Sequence, residues 1–360
     1  MVRHRMREPE QGRVPTVSVV VPCYNYGHFL EDCLRSIVDQ PGVTTDVLVI
    51  DDASPDGSGE VAEALAERYP NVRVIRHEEN RGHIATYNEG LPLATGDYVV
   101  LLSADDQLTP GALGRATALM EAHPEVGLVY GHPVSFSDVP PTARTEASSW
   151  SVWSGDHWIR AQLRRGLSII YSPEAVVRTS VHREVGWYRP ELPHTGDLEM
   201  WLRIAAVASV GRVNGADQAF RRVHPQSMMQ SRFGTPLRDL EGRLEAVTSF
   251  LRTDRDRLRS PGRLDALARR VMAGESLDLA CSLMMSGSGT DDAGAGPEAY
   301  VSFAAEVWPR YRRLPGWREY RLRSADGRPG PLTRAELAVL ATRRDLVGRV
   351  RWQRWTRMGL

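Results

Sequence analysis

Four short apolar runs dominate the first hundred residues: Val17–Val21, Val47–Ile50, Val72–Ile75 and Tyr98–Leu102. Val47–Ile50 and Tyr98–Leu102 are wholly apolar and Val17–Val21 is interrupted only by Ser18, which is the pattern of a strand buried on both faces, while Val72–Ile75, with Arg73, is a third short strand. Between them, apolar residues recur at helical spacing: Phe29, Leu30, Cys33, Ile37 and Val38, then Val61, Ala62, Leu65 and Ala66, then Ala85 to Leu93. Strands and helices alternating at such short intervals demand right-handed crossovers. They predict an α/β fold with a mostly parallel sheet flanked by helices. Polar residues gather directly after three of the runs, as Tyr24 and Asn25, Asp51 and Asp52, and Asp105 and Asp106. All three clusters therefore belong at the carboxyl edge of the sheet, where open α/β folds bind ligands. The adjacent carboxylates of YVVLLSADDQL repel each other unless compensated. A divalent cation shared with substrate phosphates would compensate them; otherwise the pair simply opens a loop before Pro110.

Several classes are excluded. No G-x-G-x-x-G follows the first run and no G-x-x-x-x-G-K-[ST] occurs, so dinucleotide folds and P-loop nucleotidases lack their phosphate cradle. Lys+Arg and Asp+Glu stand at 45 each, a balance that does not suggest a nucleic-acid partner. Every one of those basic residues is Arg, so any cationic role falls to a planar guanidinium. Cys23, Cys33 and Cys281 have neither zinc spacing nor a disulfide framework, which fits a cytoplasmic protein. The polar start MVRHRMREPEQGR has no secretory h-region, and no apolar run approaches the roughly 18 residues that span a bilayer.

The segments VSVVVPCYNYGHFLEDCLRSIVDQ, VLVIDDASPDGS, ENRGHIATYNEGL and GDYVVLLSADDQLTPGAL resemble, in order, the motifs of family 2 glycosyltransferases with the Rossmann-like GT-A fold. HTGDLEMWLR at 194–203 and FRRVHPQSM at 220–228 are similar to later motifs of that family. Two positions depart from its pattern: Ser103 stands where the first metal-motif Asp is common, and Gly196 where a Glu usually precedes the later Asp.

The resemblance implies inverting transfer of a sugar from a nucleotide diphosphate, with a UDP-sugar favoured, to a hydroxyl acceptor in a glycan, glycolipid or natural product. It implies that Pro22, Tyr24 and Asn25 line the base, although Pro-x-Tyr-Asn is also an ordinary strand exit. Asp52 would accept from the base or ribose, unless it caps the next helix. Asp105 would take the ribose and Asp106 the metal, or the two would share it, with His224 as a further ligand. Imidazole favours Mn²⁺ over Mg²⁺. Arg81 would reach the diphosphate or stay solvated. Asp197 is the implied general base, against a plain helix cap, and Glu199 is its reserve. Two other readings compete with this one. A degenerate domain serving as scaffold is favoured by Ser103 and Gly196. A sugar nucleotidyltransferase would need the Gly-rich loop and Lys that the chain lacks.

The expected organisation is a disordered arm over residues 1–15 and a GT-A domain over 16–235, followed by an appended helical region over 236–360. Residues 16–130 would form the nucleotide-sugar half and 131–235 the acceptor half. Trp150, Trp153 and Trp158 suggest acceptor recognition in the latter or a core-covering insertion. SGSGTDDAGAGP at 286–297 reads as a flexible loop. The strip RVRWQRWTR at 349–357, with Trp352 and Trp355, fits peripheral contact with the inner face of a membrane, a homodimer contact, or a cap on the helices.

Overall fold

The computed structural model describes residues 2–4, 13–227, 235–286, 289–325 and 330–358. Two units divide the chain: residues 1–159 with 170–224, and residues 160–169 with 225–360.

The first unit holds the sheet. Its strands are β1 (Val2–His4), β2 (Thr16–Cys23), β3 (Thr44–Asp51), β4 (Val72–Arg76), β5 (Tyr98–Leu101), β6 (Gln107–Leu108), β7 (Val126–Phe136), β8 (Ser149–Trp153), β9 (Val176–Arg178) and β10 (Ser209–Arg222). The helices between them are α1 (Gly27–Val38), α2 (Ser58–Arg68), α3 (His83–Gly90), α4 (Ala112–Ala122), α5 (Gly155–Arg165), α6 (Thr179–Val185) and α7 (Gly196–Val207). The strand order is β1-β8-β10-β7-β9-β5-β2-β3-β4, with β6 pairing β10 from outside that path.

The four apolar runs form β5, β2, β3 and β4, which pair in parallel. Side chains of β2, β3 and β5 are mostly buried on both faces, whereas β4, at the edge, leaves Arg73 and Arg76 exposed. Gly90 lets α3 press onto this sheet, since a Cβ there would lie 2.5 Å from Val20 Cγ1 and 2.8 Å from Ile50 Cδ1. The other half of the sheet is mixed. Three-residue β9 is wedged between β5 and β7, antiparallel to both, while β10 runs parallel to β7 and antiparallel to β8. The expected mostly parallel order thus holds over β2–β5 and gives way beyond them. There the chain returns to the sheet through long connections that can enter from either end.

Two further expectations change. Val2–His4, within the arm expected to be disordered, pairs with β8 as an edge strand; residues 5–12 of that arm lie outside the described residues. Trp150, Trp153 and Trp158 are fully buried. They pack the core instead of lining an acceptor surface, on β8 (Ser149–Trp153) and in α5 (Gly155–Arg165).

The second unit contains α8 (Pro236–Thr253), α9 (Pro261–Ser286), α10 (Pro297–Val307), α11 (Pro315–Arg323) and α12 (Pro331–Met358). Each of these five opens on proline, whose fixed φ and missing N–H suit the first helical position. Ala273, Leu277, Ala304 and Leu314 form its core, with Val301, Trp308, Tyr311 and Trp317 packed around them. Buried Arg243 ties α8 to α9 through Asp239 (2.8 Å) and Glu275 (2.8 Å). The expected loop at 286–297 falls between α9 and α10. Asp291 organises its described part by accepting from the amides of Ala293 and Ala295 and the Tyr300 hydroxyl; residues 287–288 lie outside the described residues. Among the described residues no helix is long and apolar enough to cross a membrane.

Candidate active site

The carboxyl ends of β5, β2 and β3 are adjacent, and backbone bonds continue the ladder past them. Ala104 N–H donates to the Pro22 carbonyl (3.3 Å), Asp52 N–H to the Cys23 carbonyl (2.9 Å), and His77 N–H to the Asp51 carbonyl (2.9 Å). The three polar clusters therefore share one edge. Asn25 and Ala53 both adopt left-handed backbone, with φ of 61° and 56°. Ser54 links their segments: its hydroxyl accepts from Asn25 N–H (3.0 Å), and its own N–H donates to Asp51 Oδ2 (3.3 Å). Asn25 Oδ1 and Asp51 Oδ1 are then left buried without a hydrogen-bond partner. A buried acceptor left unmet costs about 1–3 kcal/mol, so this edge is shaped for donors that the chain does not supply. Tyr24 stands exposed beside it, and Pro22 is half-buried at the end of β2.

Asp52 has a different environment from the one expected. Its Oδ1 lies 2.7 Å from His77 Nδ1 and accepts from Arg81 N–H (2.8 Å), while Oδ2 accepts from Gly82 N–H (2.9 Å). The carboxylate thus fixes the 77–82 loop at the head of α3. The orphaned oxygen belongs to its neighbour Asp51, which adjacency in sequence could not distinguish. The Arg81 guanidinium is half exposed, with one arm on Glu89 Oε2 (3.1 Å).

The acidic pair is clamped from the far side of the sheet. β6 pairs with β10, setting Phe220 opposite Gln107. Arg222, at the end of β10, donates its N–H to Asp106 Oδ1 (2.8 Å) and its Nε–H to the Asp105 carbonyl (3.1 Å). Its guanidinium lies between the rings of Phe29 (4.2 Å) and Phe136 (4.4 Å). Two residues on, His224 Nε2 reaches Asp105 Oδ2 at 3.1 Å, with Tyr26 and Phe29 against the imidazole. Burial pushes the Asp106 carboxyl well above the ordinary carboxylate range. Asp105 adds to that rise, while the Arg222 N–H and the charges of Arg221 and Arg222 oppose it.

Among the described residues no three His, Cys, Asp or Glu form a metal-holding group. What converges is the carboxylate–imidazole pair Asp105–His224. Such a pair suits a divalent ion that completes its shell with phosphate oxygens. Asp106, named with them from the sequence, instead has one oxygen on a backbone amide.

Asp197 is the second residue of α7. Its Oδ1 accepts from the Tyr188 hydroxyl (2.8 Å) and its Oδ2 from the Ser172 hydroxyl (2.7 Å). Burial raises its pKa, and the two hydroxyls and His83 restrain the rise. Gly196 makes this possible, since a Cβ there would lie 3.1 Å from Tyr188 Cδ1. Glu199, the reserve base, is fully buried between Arg189 (2.5 Å) and Arg203 (2.8 Å) and serves as a structural ion pair. Trp201 is core. Tyr87 packs edge-on against Tyr188 at 5.5 Å. Its hydroxyl pKa is raised by burial and then by Asp197, Asp105 and Asp106 together, so this one side chain feels the acidic pair and the distant Asp197 alike.

Four participants were not legible beforehand: Tyr188, Ser172, Glu174 and Arg221. Glu174 is buried, with Oε2 unpartnered and its pKa well raised by burial. Arg221 lies over the Tyr171 ring (4.5 Å) with a buried, unpartnered Nε. Only Arg221 had a signal, in its place beside the R-x-H segment.

Comparison with known proteins follows the same lines. Residues 18–186 match the model for Glycosyl transferase family 2. An uncharacterized Mycobacterium tuberculosis protein, MT1568, is 28% identical over 214 residues, 54% of this chain and 64% of that protein. An uncharacterized glycosyltransferase of Escherichia coli K12, YibD, is 38% identical over 94 residues, 26% of this chain and 27% of its own length. The chain thus spans less than two thirds of each of these curated relatives. Staphylococcus aureus TarS 1–349, solved with UDP-GlcNAc, superimposes with a TM-score of 0.58 at 18% identity, covering 85% of this chain and 91% of that one. The mannosyltransferase PcManGT of Pyrobaculum calidifontis, solved with GDP-Man and Mn²⁺, gives 0.57 at 19%, covering 98% and 86%. At such identity the two structures speak for the fold.

Proposed function

We propose that this chain, whose residues 18–186 match the model for glycosyl transferase family 2, transfers a sugar from a nucleotide-diphosphate donor to an acceptor hydroxyl, inverting the anomeric carbon. The observation that carries this reading is the meeting of Asp105 with His224, 119 residues apart in sequence. It occurs at the sheet edge that also holds the orphaned acceptors of Asn25 and Asp51.

On this reading Tyr24 stacks on the base, backed by Pro22. Asn25 Oδ1 and Asp51 Oδ1 accept from a base N–H and a ribose hydroxyl. Uracil offers one ring N–H, which leaves the second acceptor for the ribose and favours a UDP-sugar. Asp52 acts at one remove, by holding the loop that carries Arg81. Asp105 and His224 would hold the metal, Mn²⁺ before Mg²⁺, with Asp106 in support. Such an ion, when bound, stabilises the charge growing on the leaving diphosphate. Arg81 and the unpartnered Nε of Arg221 supply further positive charge to the phosphates.

Asp197 takes the proton of the acceptor hydroxyl as that oxygen bonds to the anomeric carbon. The bond from that carbon to the diphosphate breaks, and its electron pair leaves with the nucleotide. A carboxylate raised by burial is a better proton acceptor than a solvated one, and two hydroxyl donors keep it aimed.

A thermal-shift screen of UDP, GDP and their sugars, with and without Mn²⁺, tests the donor. The expected result is stabilisation by a uridine diphosphate sugar that Mn²⁺ enhances. Preference for GDP would assign both orphaned acceptors to guanine N–H groups. Binding without slow donor hydrolysis, measured in the absence of acceptor, would favour the scaffold role.

A further inference from the structure

Among the described residues, helix α12 carries apolar side chains on two sides, and those on one side are exposed. Toward α11, the half-buried side carries Leu337, Leu340 and Arg344, and Arg344 pairs with Glu319 at 2.8 Å. On another face Leu332, Val339, Leu346 and Val350 recur at intervals of seven, seven and four, which aligns them along one stripe of a helix. These four are 88%, 66%, 54% and 45% exposed. Arg343 falls within the stripe, four residues after Val339 and three before Leu346, Arg349 lies beside it, and both are exposed. Over residues 331–358 seven Arg stand against Glu336 and Asp345, an excess of five positive charges. Glu336 is already paired, with Arg318 at 2.5 Å.

We infer that this stripe docks on an anionic lipid surface. Aliphatic side chains left in water gain by leaving it, which calls for a cover. A second copy of the helix would supply apolar area but would set arginines against arginines in either orientation, with little acid to offset them. A bilayer bearing anionic headgroups satisfies both features at once. The four aliphatics enter the headgroup boundary, and the guanidinium forks meet lipid phosphates. The helix lies in the interface and does not span it. This inference is independent of the proposed sugar transfer, because it concerns binding alone.

The test is co-sedimentation of the full chain with phosphatidylcholine vesicles, with and without phosphatidylglycerol. Binding is expected to the anionic vesicles, weakened by salt and weak to phosphatidylcholine alone. Leu346→Glu with Val350→Glu should abolish it. Arg343→Gln with Arg349→Gln should weaken it roughly thirtyfold, as expected for two surface arginines. All four positions are exposed, so helix content by circular dichroism should match the parent chain. If the glutamate variant nonetheless loses helix, the glutamine variant decides. Failure of the parent chain to sediment with anionic vesicles would overturn the inference, as would undiminished binding by the variants. So would a concentration-dependent dimer that Leu346→Glu dissolves, which would name a second copy as the cover.

Discussion

The Tyr188 hydroxyl donates to Asp197 Oδ1 across 2.8 Å, nine residues before it in the chain and against the bare backbone of Gly196. Gly196, which stands where the resembled family usually has Glu, thus leaves room for an aromatic ring that orients the carboxylate proposed as base. The hydroxyl also favours the ionised carboxylate. Tyr188→Phe should therefore raise the Asp197 pKa further. Because Asp197 as the proposed base would work deprotonated, the ascending limb of the kcat/KM–pH profile should move to higher pH. On that limb activity should fall by about tenfold, the worth of one buried hydrogen bond. An unmoved limb would remove Tyr188 from this role.

Asp197→Asn keeps the shape and both hydroxyl neighbours but cannot accept the proton. Turnover should drop by about 10²–10⁴, while nucleotide affinity stays near that of the parent. Single-turnover kinetics beside calorimetric donor binding separate these two quantities. A variant that still turns over normally would mean that another group is the base.

Asp105 and His224 touch, so their effects on metal-linked binding should not add. Asp105→Ala and His224→Ala should each weaken Mn²⁺-dependent nucleotide binding, and the double variant should be little worse than the poorer single. Additive losses would show that the two act at separate places.

Glu174 and Asp106 both have pKa values raised by burial. A carboxyl that holds its proton more tightly folded than unfolded adds stability below its unfolded pKa of about 4.3 for Glu. That contribution is lost as pH climbs through the folded value. Glu174→Gln keeps the neutral form at every pH, so its melting temperature should fall less than the parent's between about pH 4.5 and neutrality. Parallel curves would place the ionised form of Glu174 in the fold.

Much of the first half of the sheet could be read from the chain, because β2, β3 and β5 are built on apolar runs and each polar cluster follows its run directly. The rest obeyed no such local rule. β9 is three residues long, too short to show a period. β8 reads Ser-Trp-Ser-Val-Trp, and without knowledge of its neighbours its tryptophans look like a binding surface when they are core. β10 mixes Arg, Asn, Asp and Gln along its length and turns at Gly215, where φ is 92°, so it offers no continuous apolar signal. The site divides the same way. Asp105 and Asp106 announce themselves, but which of Asp51 and Asp52 keeps a free oxygen depends on where residues 77–82 fold back. Nothing near Tyr188 indicates where its hydroxyl goes.

The two-residue strand β6 has one more consequence. The Arg222 amide proton rests on Asp106, while Leu108 and Gln107 pair with the residues just before it, so one small latch joins the acidic segment to the last strand. Deuterium exchange at Arg222 and at Thr109, whose amide donates to the Gln218 carbonyl across 3.2 Å, should then change in concert whenever a ligand draws Asp105 away from His224, giving two amides that report on donor binding without any probe attached.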